Sequence, residues 1–178
     1  MDALVQFLRA RLDEDAAWAT EASRRDEGAP VPGGAHWQWE DGETDEVITP
    51  DLSAKGPLDE DVALSLRSRE TWPTGSVGEL PQFAIHTAED VPVAVGGHIV
   101  RHDPARVLAE VDAKRQALDH YERTQQHLAK SDGGDDYVFA EGAVRKQIQY
   151  MALPYADHPD YRTEWRPWIA IPPFPQRP

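Results

Sequence analysis

His98, His102 and Asp103 come nearest to a reactive constellation in this chain. Two imidazoles four residues apart project from one face of a helical turn, a spacing that lets both bind one metal ion. A carboxylate beside them would complete an N,N,O ligand set, and His86 lies nearby in sequence. Such a site would suit a metal-dependent hydrolase. A structural reading competes with it. Asp103 followed by Pro104 is a helix start, with Asp as the N-cap and Pro at the first helical position. Gly96-Gly97 also argues against a regular helix over 98–102.

A second cluster holds Asp157, His158 and Asp160 between Tyr155 and Tyr161. Histidine beside carboxylates can do general acid–base work. The interleaved Pro154 and Pro159 favour a rigid segment instead. Tyr155, Tyr161, Trp165 and Trp168 would anchor it to the globular body, because buried aromatics bring much apolar area. Trp37 and Trp39 share one face if the backbone is a strand. They are candidates for core or for a binding surface. Other motifs are missing. There is no phosphate-cradling G-x-x-x-x-G-K, no G-x-S-x-G elbow and no H-E-x-x-H. With no cysteine, a thiolate nucleophile or thiolate metal site is excluded.

Elements must place these residues. The apolar set Leu4, Val5, Leu8, Leu12, Ala16 and Ala19 predicts a helix over 2–25, capped by Asp2, with Phe7 and Trp18 widening its face. Asp13-Glu14-Asp15 reads as a solvated helix face. Gly28 to Ala35 reads as a linker. Around Asp41-Gly42, residues 36–48 suggest a hairpin. Alternation predicts strands from Val62 toward Trp72, around Phe83–Ile85, and from Val91 to Val95, ending at Gly96-Gly97. Nine acids and one base between 40 and 61 suggest an exposed acidic segment. A long helix is expected over 104–129, with Val107, Leu108, Val111, Leu118, Tyr121 and Leu128 on one stripe. A further helix is expected over 137–152. Seven prolines in the last 25 residues predict an extended arm, and Pro172-Pro173-Phe174-Pro175 could be read by an aromatic groove.

Three stretches carry a resemblance. They are Phe7 to Asp15 (FLRARLDED), His98 to Leu108 (HIVRHDPARVL) continuing through Glu110 to Arg115, and Leu153 to Pro167 (LPYADHPDYRTEWRP). In this order the chain resembles a family of small actinobacterial proteins classed as a domain of unknown function (number six-two-two-one). The resemblance implies an intracellular bacterial or phage protein and implies no activity.

At 178 residues the chain is long enough for one domain with a true core. A net charge of -14 argues against duplex nucleic acid and anionic membrane surfaces as partners. No apolar run reaches a membrane span, and the start lacks the basic, apolar pattern of a signal peptide. A cytoplasmic location is the expectation. The elements predict an α+β fold. A small antiparallel β-sheet is packed by the N-terminal helix and by the long helix starting near 104. The division is 1–153 as a single domain and 154–178 as a proline- and aromatic-rich arm docked on it. Functionally, the chain reads as a non-catalytic protein-interaction module that needs no cofactor. Its partner would be an unidentified, basic protein or a second copy. Interface candidates are Trp37, Trp39, Tyr155, Tyr161, Trp165 and Trp168. The alternative is the hydrolase on His98, His102 and Asp103.

Overall fold

Asp2 opens the first helix, α1 (Ala3–Ala22), by accepting the Leu4 amide at 3.0 Å on its carboxylate. The computed structural model describes residues 2–24, 34–54, 56–58, 64–73, 78–81, 84–85, 90–130 and 135–167. The remaining helices are α2 (Val93–Arg101), α3 (Pro104–Leu128) and α4 (Asp135–Ala152). None of the described helices is long and apolar enough to cross a membrane. The chain gathers into two compact units, residues 15–111 and residues 1–14 with 112–178. Helices α1 and α3 each contribute residues to both units.

The first unit is built on an antiparallel sheet. β1 (Trp37–Asp41) pairs with β2 (Val47–Ile48) on one side and with β3 (Leu64–Ser68) on the other. β3 then pairs with β6 (Ala84–Ile85), so the order is β2-β1-β3-β6. Asp41 closes the β1–β2 turn: its Oδ1 accepts the amides of Glu43 and Thr44 at 2.7 and 3.0 Å. Trp39 stands opposite Leu66, and Asp41 opposite Leu64. One sheet face is therefore apolar, with Trp39, Leu64 and Leu66 buried and Trp37 packed against them. The other face carries Gln38, Glu40 and Arg67. Arg67 pairs with Glu40 at 3.0 Å and with Asp45 at 2.7 Å.

Two expectations fail here. The strand expected from Val62 to Trp72 stops at Ser68. The chain then turns and starts β4 (Thr71–Pro73), which pairs with β5 (Glu79–Pro81) in a separate two-stranded ribbon. The turn is held by Glu70, whose carboxylate accepts the His36 amide, and by Ser68 Oγ donating to the Glu70 carbonyl at 2.9 Å. The second failure is the strand at Val91–Val95. Only Pro92 keeps a strand-like pairing, a single antiparallel bridge to Pro57. From Val93 the chain is helical, straight through Gly96 and Gly97. Val93 and Gly96 are buried, and Ile99 and Val100 pack on the Trp39 cluster, a helical period of burial rather than an alternating one.

Helices form the second unit. Leu4, Val5, Leu8 and Leu12 of α1, Leu118 and Tyr121 of α3, and Ile148 and Ala152 of α4 are buried. Arg9 joins α1 to α3 through Asp119 (2.6 Å) and Glu122 (2.8 Å), and Arg115 reaches Asp13 at 2.5 Å. Gln125 of α3 donates to Glu141 of α4 at 3.0 Å. Within the expected arm, the described residues include 3-10 turns at Leu153–Tyr155 and Thr163–Trp165, and residues 168–178 lie outside the described residues. Proline at the first positions of a short turn costs little, because the missing N–H would be unpaired there in any case. With four α-helices among the described residues and a small antiparallel sheet, the class is α+β, as the sequence predicts.

Candidate functional site

Three surfaces bring chemistry-bearing residues together. In the helical unit, Phe7 sits at the centre of an aromatic cluster. Its ring lies 6.4 Å from Tyr155, 5.9 Å from Tyr161 and 5.0 Å from Trp165, and Tyr161 and Trp165 meet edge to face at 5.8 Å. Trp165 is buried, and Tyr155 and Tyr161 are half-buried. Trp168 lies outside the described residues.

Arg11, one turn on from Phe7, is 8% exposed. Its Nη1 donates to His158 Nδ1 at 2.8 Å, its Nη2 to Glu14 at 2.6 Å, and its guanidinium lies 5.4 Å from the Phe7 ring centre. The His158 ring also accepts the Asp160 amide at 3.1 Å. His158 is thus engaged by Arg11 rather than by its flanking acids; Asp160 stands 3.9 Å off. A cleft of about 520 Å³ opens beside this cluster, between the first turns of α1 and residues 159–165.

In the sheet unit, Trp39 is 2% exposed, and its indole N–H donates to the Gly96 carbonyl at 3.0 Å. It is core, which corrects its candidacy as a surface residue. Trp37 is half-buried and lines a shallow apolar groove of about 260 Å³ with Trp18, Ala19, Ala22, Pro104 and Val107. Trp18, expected to widen the buried face of α1, is instead 78% exposed.

His98 and His102 do share a helical face, their ring centres 4.1 Å apart. They border a cavity of about 200 Å³ with Pro50, Leu52, Val93 and Arg101. His102 Nδ1 bonds the His98 carbonyl at 2.9 Å. Asp103 takes a capping role: its Oδ1 accepts the Arg106 amide at 2.9 Å at the start of α3. Among the described residues, no three His, Cys, Asp or Glu side chains are grouped to hold a metal ion. His86 lies outside the described residues.

Sequence reasoning missed Arg11 and Trp18 as candidates. Both lie, with Phe7, along one edge of the α1 stripe, at steps of four and seven residues. An arginine and a tryptophan on the rim of an apolar face are the signal that was present.

No curated protein and no solved structure matches the chain. The stretches Phe7 to Asp15 and Leu153 to Pro167 meet around the Phe7 ring and Arg11, and with the family model matching residues 1–167, the chain belongs to the family of unknown function DUF6221.

Proposed function

We propose that the protein is a non-catalytic interaction module that docks a basic protein partner on the apolar groove at Trp18 and Trp37. The observation that carries this reading is Trp18, a large apolar side chain 78% exposed on the wall of a groove lined by further apolar residues. Exposed tryptophan on such a surface is the residue type that most often dominates binding energy. Asp15 stands at the same groove, and the chain carries a net charge of -14, which selects a cationic partner and speeds its encounter. Against the hydrolase alternative, Asp103 caps α3 and does not join His98 and His102 in a three-ligand group among the described residues.

Native mass spectrometry of the untagged protein from its own host tests the reading. A basic partner at fixed stoichiometry is expected, weakened by salt and by Trp18→Ala. The variant should lose about 2 kcal/mol of binding or more while melting at the wild-type temperature. A lone monomer, a self-dimer, or a Trp18→Ala protein that keeps its partner would each reject it.

A further inference from the structure

We infer that His98 and His102 form a two-imidazole binding site for one divalent transition-metal ion of the zinc, nickel and copper class. The inference does not rest on the groove at Trp18, although His102 borders that groove as well. Helix α2 sets the frame. Val93 and Gly96 are buried, and Ile99 and Val100 pack on the Trp39 cluster, which leaves His98 and His102 exposed on the outer side. The His102 amide bonds the His98 carbonyl at 3.1 Å, so the helical turn between them is closed. Their ring centres stand 4.1 Å apart. A spacing of four on a closed helical turn is the arrangement by which two imidazoles reach one ion.

A second observation concerns the His102 ring. A carbonyl can only accept, so the bond of 2.9 Å between Nδ1 and the His98 carbonyl puts the ring proton on Nδ1. Nε2 then carries the lone pair. Metal-ligating histidines have this pattern: one nitrogen donates to a carbonyl or carboxylate, fixing tautomer and ring, and the other binds the ion. Ligand nitrogens sit about 2 Å from zinc. His98 is exposed, so turning its ring onto the same ion does not disturb the core. Two imidazoles select zinc, nickel or copper over magnesium or calcium, which prefer oxygen. Arg101 borders the same cavity of about 200 Å³, and its charge opposes a cation, whereas the net charge of -14 favours one. Among the described residues no third His, Cys, Asp or Glu completes a group with the pair. Water fills the remaining positions, and the site falls short of the three protein ligands usual at a hydrolytic zinc.

Zinc alone is the probe. It is titrated into the metal-free full chain and followed by calorimetry and by NMR of the histidine ring nitrogens. The expected result is one ion per chain, with the His98 and His102 ring signals shifting together and His102 Nδ1 keeping its proton. His98→Gln and His102→Gln should each lose this binding. Arg101→Gln should tighten it, and His120→Gln, at an exposed position on α3, should leave it unchanged. The wild-type ring signals report the ligands directly, so the test stands even if a variant folds poorly. The inference is overturned by no saturable binding, by ligation through His102 Nδ1, by wild-type affinity in His98→Gln, by equal loss in His120→Gln, or by magnesium shifting the same signals as strongly as zinc.

Discussion

Gly96 shows how one missing methyl group sets a local geometry. A Cβ built on it would lie 2.6 Å from Leu58 Cδ1 and 3.0 Å from Trp39 Nε1. Without that atom, α2 comes close enough for the Gly96 carbonyl to take the Trp39 indole N–H. Gly96→Ala gains intrinsic helix propensity but overpacks the contact, and the second effect is larger. A net loss of about 1–3 kcal/mol is expected, read as a lower urea midpoint at unchanged slope. A midpoint equal to or above wild type would show that Leu58 simply rotates away. Arg11 illustrates the opposite lesson. Its position was legible as the rim of a stripe, but its burial came from residues 153–165, almost 150 positions later. No local pattern carries that information.

At the scale of elements, the long periodic helices α1 and α3 were readable because burial of one stripe repeats every three to four residues. Capping chemistry placed their starts: Asp2 and Asp103 both accept an amide of the first turn. Among the short elements, α2 was not readable. Residues 91–97 present alternating valines, Pro92 and a Gly-Gly pair, all of which disfavour helix, yet the packing of Val93, Gly96, Ile99 and Val100 overrides local preference. Gly142 of α4 has no such compensation. Nothing lies within 4 Å of a Cβ placed there. Gly142→Ala should therefore stabilise the protein by about 0.5–1 kcal/mol, seen as a raised thermal midpoint. No gain, or a loss, would mean that the position is not a plain exposed helix site.

For the molecule as a whole, four shifted groups give stability a pH dependence. Amides of Glu43 and Thr44 hold the Asp41 carboxyl below its usual range, and the hydroxyl and amide of Ser53 do the same for Asp51. Burial would push Glu70 up, but hydrogen bonds from the His36 ring, its own amide and the His36 amide outweigh it and lower it. Burial and the Asp2 charge push the Tyr121 phenol up. The signs follow from linkage. Carboxyls lowered in the folded state stabilise it above about pH 4, their unfolded value, and that stability is lost as pH falls through the folded values. A raised phenol favours the folded state below about pH 10, and that advantage is lost as pH rises further. A stability plateau between these limits is expected in urea unfolding. Asp41→Asn, which keeps an amide acceptor but cannot titrate, should flatten part of the acid limb. An unchanged acid limb in that variant would remove Asp41 from the account.

Sequence by itself determined the α+β class, the capped helices, the β1–β2 hairpin and the net charge, because each follows from periodicity, capping or composition. It also singled out the aromatic residues Tyr155, Tyr161 and Trp165, though not as neighbours of Phe7 and Arg11. Tertiary structure alone decided that Trp39 is core while Trp18 is exposed, that His98 and His102 bring their rings together, and that Arg11 and Tyr161 line one cleft. Those outcomes depend on which distant surface covers each side chain, and burial by a distant segment leaves no trace in local spacing.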